Sequence, residues 1–237
     1  MDTFAQSART ALELIVRADE ELWQVVQLSL AVSGSACALA AGLGLIAGAW
    51  LAAVRFPGRR AVVTGLNTLL ALPPVVVGLA VYLLLSRSGP LGELGILFTP
   101  SAMVIAQCIL VLPIVTALTR QLIGDAMHGN GEQLRSMGAS TLACALLLLV
   151  HERVALVTIL LTAFGRAISE VGAVMIVGGN IDGVTRVMTT TIALETSKGD
   201  LPLALGLGIV LLGMVGLINA AISLAQRWQV RGEGRAA

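Results

Sequence analysis

Arg166 and Glu170 stand four residues apart in a long apolar run, AFGRAISEVGAVMIVGG, so a helix there puts both on one face with Ser169 beside them. A lone charge inside a bilayer is costly, and an opposite charge one turn away neutralises it. Such a pair can line the route of an anion, with Arg166 supplying positive potential and Ser169 a hydroxyl, or it can simply brace helix packing. Pro73, Pro74 and Pro113 also fall inside apolar stretches. Each removes a backbone donor and favours a bend unless neighbours compensate, which suits a gated path but also fits the ordinary abundance of proline in membrane helices. Gly44 and Gly48 form a GxxxG step that lets a neighbouring helix come close.

Other chemistries lack their parts. His151-Glu152 would open a His-Glu-x-x-His zinc site, but position 155 is alanine and His128 is the only other histidine. The single lysine, Lys198, follows Thr196-Ser197 rather than the glycine of a phosphate-binding loop, so the chain carries no ATPase motif of that kind. Cys37, Cys108 and Cys144 show no CxxC spacing and read as small packing residues, with neither a metal site nor a disulfide frame suggested. No nucleophile with its base can be assembled, which argues against a membrane-bound enzyme.

The elements that hold these residues follow from composition. Of 237 residues 57% are hydrophobic and 12% charged, and the mean hydropathy is +0.91, which excludes a soluble enzyme and points to an all-α membrane protein of about five transmembrane helices. The net charge of +1 gives no reason to expect a nucleic-acid partner. Residues 1–21 are polar, lack the cationic start of a signal peptide, and fit either an amphipathic helix on the bilayer or a solvated tail. Spans are expected at 22–54, 61–86, 100–122, 150–177 and 201–225, so residues 22–226 form one transmembrane domain and 227–237 a tail. Arg55-Phe56-Pro57-Gly58-Arg59-Arg60 makes the turn of a tight hairpin between the first two spans. Residues 124–141 read as a compact loop, in which Asn130 caps a short helix, Glu132 sits favourably in its first turn and Gly138 breaks it.

Nine cations, Arg55, Arg59, Arg60, Arg120, Arg135, Arg153, Arg227, Arg231 and Arg235, fall on one side of these spans. Five, Arg9, Arg17, Arg87, Arg186 and Lys198, fall on the other. The excess marks the cytoplasm, which puts the 124–141 loop and the C-terminus inside and the N-terminus outside.

Glu132-Gln133-Leu134, three further residues and Gly138 resemble the EAA-x3-G signature of ABC importer permeases, in which this segment is the coupling helix that docks on the ATPase. The resemblance implies Glu132 and Gly138 as anchors, flanked by Gln133, Leu134 and Ala139. The signature continues with nine residues and I-x-L-P, whereas this chain has Leu148-Leu149-Val150-His151, with His in place of the proline. The stretches LPPVVVG at 72–78, SRSGPLG at 86–92, QCILVLPI at 107–114, GRAISEVGAVMIVGGNI at 165–181 and TTTIALETSKGD at 189–200 are similar to the tungstate-type branch rather than to its molybdate and sulfate relatives. The resemblance implies a type I importer-like permease in a prokaryotic cell membrane, present as a homodimer around a path. It also implies ATPase subunits that bind ATP and Mg, and an extracytoplasmic tungstate-binding protein. The chain itself would carry no cofactor. Molybdate or sulfate import remains the alternative within the family. An ion-coupled secondary transporter is the alternative outside it, with Arg166 and Glu170 as a relay, although no inverted repeat is evident. A membrane scaffold would give no reason for bent spans and an intramembrane ion pair.

Overall fold

A run of apolar residues without charge or proline can satisfy its backbone in lipid only as a helix, and Glu20–Ala53 is accordingly one helix, α1. The computed structural model describes residues 20–233, so the surface helix or tail expected at the N-terminus lies outside the described residues, apart from Glu20 and Glu21 at the start of α1. Where α1 ends, Arg59 Nε donates to Leu51 O at 2.9 Å and satisfies one of the carbonyls a helix end leaves over.

The second span is broken. The hairpin partner expected over 61–86 is made of two helices, α2 (Arg59–Leu69) and α3 (Pro74–Leu85), which meet at 101° at the prolines that favour a bend. The cause is local: a residue before proline is driven out of the α region, so Leu72 and Pro73 cannot continue α2. Pro73 is extended (φ −68°, ψ 124°), and Pro74 restarts the helix at its first position, where a missing N–H costs nothing.

α4 spans Pro100–Ser136 and overturns the expectation of a loop at 124–141. Asn130, Gly131 and Glu132 lie inside this helix rather than at the start of another, and Asn130 is therefore no N-cap. Glycines at 124, 129 and 131 each cost about 1 kcal/mol relative to alanine. A helix already nucleated needs little to go on, and Ala126, Met127 and Leu134 gain packing against Ala49, Ala53, Ile123, Ala145 and Leu148. Pro113 likewise fails to break α4. Val111 and Val115 on either side of it are fully buried, and Thr116 Oγ1 donates to Leu112 O at 2.8 Å just beyond it.

α5 (Thr141–His151) and α6 (Arg153–Ile168), bent by 75° at Glu152, together make the fourth candidate span, which begins at Thr141 rather than at the expected 150, and Ser169–Val171 lead on into a short α7 (Gly172–Gly178). Within the expected outer loop lies α8 (Met188–Lys198), followed by α9 (Leu201–Glu233), which continues as helix into the expected tail. Three helices, α1, α4 and α9, are long and apolar enough to cross a membrane, and each bent pair counted as one span brings the number to five.

The chain divides into two compact units. In the larger, Leu30–Thr185, the core joins Cys37 and Ala40 of α1, Val111 and Val115 of α4 and Leu156, Ile159, Ala163 and Ala167 of α6. An ideal Cβ at Gly48 would lie 2.7 Å from Thr116 O and Thr119 Cβ, so the GxxxG step is a backbone contact between α1 and α4 that no larger residue fits. In the other unit, Ser29 Oγ donates to Val25 O at 2.7 Å and accepts the Met188 N–H at 2.9 Å, fastening the start of α8 to the first turns of α1. Beside that contact Glu21, Arg186, Glu195 and Lys198 ring a cavity of about 170 Å³, with Lys198 Nζ 2.8 Å from Glu195 Oε1.

Candidate functional site

The break between α6 and α7 brings together the three residues singled out from spacing. Arg166 Nη1 lies 2.7 Å from Glu170 Oε2, and Glu170 Oε1 accepts the Ala173 N–H at 3.2 Å. One carboxylate thus neutralises the guanidinium and satisfies a free donor in the first turn of α7. Glu170 is 4% exposed and the Arg166 side chain 37%, so the buried partner holds the open one in place. Ser169 is exposed, and its Oγ donates to Arg166 O at 3.1 Å.

The proline break in the second span abuts the same point. An ideal Cβ at Gly78 would lie 2.7 Å from Ala173 Cα, and one at Gly172 would lie 3.0 Å from Val75 Cγ2, so the first turns of α3 and α7 pack backbone to backbone. Pro73 and Pro74 therefore sit beside the junction that holds Arg166 and Glu170, while Pro113 lies within unbroken α4. Backbone irregularity at membrane depth is tolerated where it is buried in protein or lines a water-filled cavity, and two such breaks adjoin here.

The second group of predicted residues forms the far end of α4. Ala139 N–H donates to Leu134 O at 3.2 Å and Gly138 N–H to Arg135 O at 2.9 Å, with Gly138 at φ 90°. This is a Schellman cap, and its left-handed residue is the reason for glycine at this place. Glu132 and Gln133 are exposed, Leu134 and Ala139 half-buried. Gln133, Leu134 and Met137 form, with Leu147, Leu148 and His151 of α5, a groove of about 430 Å³. Glu132 lies near the C-terminal, negative end of a 37-residue helix, not in a first turn, so the macrodipole does not favour its charge and the expected stabilisation is absent.

No protein-family model matches the chain. It is 42% identical to the tungstate uptake system permease protein of Peptoclostridium acidaminophilum, over 94% of this chain and 97% of that one. It is 37% identical to the tungstate uptake system permease protein of Campylobacter jejuni, over 92% of each. The chain belongs to the tungstate-type family of ABC permeases. The molybdenum transport system permease protein of Escherichia coli is more distant, at 29% identity over 75% of this chain and 82% of that one.

In this permease the departure from the family signature has a structural answer. His151 closes α5 where the signature has proline, and the chain still turns, at Glu152 (φ −85°, ψ 20°). One polar residue of the permease escaped the reading of the sequence. Gln107, on α4, is 3% exposed and donates from Nε2 to Ala167 O at 2.9 Å, in the last turn of α6. An amide inside an apolar span was the available signal, since polar groups in spans are costly and hence seldom idle. Spacing could not find its partner, which lies on another helix.

Proposed function

We propose that this chain is the membrane-spanning subunit of an ATP-driven tungstate importer, forming the translocation path and coupling it to a separate ATPase. The observation that carries the reading is the end of α4. Its 37 residues make a rod of about 55 Å, which overshoots a hydrocarbon core of about 30 Å and projects a capped, exposed tip with a groove beside it. Glu132 is exposed there and its charge is presented outward, where a partner surface can meet it. Two copies enclose the path, and each Arg166, steadied by Glu170, offers positive potential to a dianion. ATP binding draws the projecting tips together, and the hinge at the two broken spans opens the path on one side or the other. Nucleotide and loaded binding protein must each prefer one orientation, because equal affinity for both would shift nothing.

Similarity to permeases named for tungstate, at 42% and 37% against 29% for the molybdenum permease, supports the choice of oxyanion. The test is reconstitution of the permease in proteoliposomes with an ATPase subunit and a tungstate-binding protein of the same uptake system. ATP-dependent accumulation of tungstate, with molybdate and sulfate competing weakly, is the expected result. Uptake driven by an ion gradient without ATP would reject the reading in favour of a secondary transporter.

Orientation is tested separately. The nine-to-five division of cations puts the tip of α4 in the cytoplasm and α8 outside. In a permease whose three cysteines are replaced, Ser197→Cys should react with an impermeant maleimide in intact cells and Ser136→Cys only after lysis. The reverse pattern would invert the topology.

A further inference from the structure

We infer that Gln107 is a positioning residue, which transmits movement of the α4 tip to the α6–α7 break that carries Arg166 and Glu170. The inference rests on the importer reading and adds the contact through which its two working ends communicate.

The carbonyl of Ala167 accepts two donors, the Glu170 N–H at 3.1 Å and Gln107 Nε2 at 2.9 Å. The first bond sets the turn that brings Glu170 back toward Arg166. The second ties that same oxygen to α4. Gln107 and the Schellman cap at Gly138 belong to one uninterrupted helix, separated by some 45 Å of rod at the usual rise per residue. A shift or rotation of α4 at its tip therefore reaches Ala167 with no intervening loop to absorb it. The surroundings of this bond are apolar. Val111, Ala163 and Ala167 are essentially fully buried, so α4 and α6 otherwise meet through side chains that can slide past one another. A directional hydrogen bond in a low-dielectric setting is the contact that resists such sliding.

The other half of the amide points to a second arrangement. Gln107 Oε1 is buried and has no hydrogen-bond partner among the described residues. An idle buried acceptor is unfavourable, and a conformation that supplies it with a donor competes with the present one. Gln107 is thus satisfied at its amino end here and can be satisfied at both ends elsewhere, which is the requirement for a two-state contact.

The experiment compares wild type with Gln107→Met, which keeps length and volume but has no donor, and Gln107→Glu, which keeps the reach and can donate when neutral. Each permease is assembled with its ATPase and binding protein in proteoliposomes. Hydrolysis stimulated by loaded binding protein and tungstate accumulated are measured together. Gln107→Met is expected to hold stimulated hydrolysis within about twofold of wild type and to lower uptake per ATP about tenfold, with Gln107→Glu in between. Hydrolysis and uptake that fall in parallel, remain unchanged, or are both lost because neither variant assembles would overturn the inference, since Gln107 would then serve packing or nothing. A second readout needs no tungstate. In a cysteine-free background, Ser169→Cys should label at different rates in the resting and vanadate-trapped complexes, and Gln107→Met should erase that difference. Persistence of the full difference would count against Gln107. Failure of the wild-type complex to import tungstate while the labelling contrast behaves as described would reject the substrate and leave the positioning role standing.

Discussion

Glu132→Lys is expected to yield a permease at least as stable as wild type that no longer supports transport. The position is exposed and lies close to the negative end of α4, where a cation is favoured by roughly 0.3–1 kcal/mol and a carboxylate is not. Any loss of function therefore cannot be ascribed to a weakened helix. If the tip docks in a groove of the ATPase, reversing this charge repels whatever cation receives it, and truncation or reversal at such a contact weakens association by several kcal/mol. Gly138→Trp attacks the same contact by a different route. A residue with a Cβ is strained at φ 90°, and no atom of the described residues lies within 4 Å of a Cβ placed at Gly138, so the indole would stand where a docking surface must approach. Both variants should insert and purify with unchanged helical content, while ATPase co-purification and substrate-stimulated hydrolysis fall at least tenfold. Full stimulation in both would remove the coupling role from the α4 tip.

Arg166→Ala is expected to be worse than the double change Arg166→Ala with Glu170→Gln. The single change strands Glu170, which is 4% exposed, and breaking a buried pair this way typically costs about 3–5 kcal/mol. The low end applies here, because the Arg166 side chain is 37% exposed and Ala173 N–H still supports the carboxylate. In the double variant the amide oxygen of Gln can go on accepting that N–H, and no charge is left over. Thermal unfolding of the detergent-purified protein should show the single variant melting well below wild type and the double variant recovering most of the difference. Uptake then separates the roles. A double variant that is stable and transports normally means that the pair braces the break. One that is stable and fails to transport means that the positive charge of Arg166 acts on the oxyanion.

Much of this arrangement could be read from residue order. The long apolar helices follow from run length and absent charge, although the fourth candidate span begins at Thr141 rather than 150, and the Arg166–Glu170 pair follows from four-residue spacing alone. The 101° bend was legible because consecutive prolines act on their immediate neighbours. What was not legible depends on contacts distant in sequence. Three glycines between 124 and 131 suggest a loop by local propensity, but Ala126, Met127 and Leu134 are held by α1 and α5, and the helix continues. That continuation reversed the electrostatics inferred for Glu132, because a residue near a helix start and one near a helix end feel opposite fields. Packing of α3 on α7 through Gly78, and the bond from Gln107 to Ala167, join segments that no periodicity links.

The corner at Glu152 bears on how relatives of this chain are counted. Glu152 N–H donates to Leu148 O at 2.8 Å and its own carbonyl accepts from Leu156 N–H at 3.0 Å, so both backbone groups of the corner residue stay paired while the chain changes direction. Proline is one way to write that corner, and His151 followed by a residue in the bridge region is another. A motif scan that insists on the proline would pass over this chain, although its backbone turns by 75° at the same place.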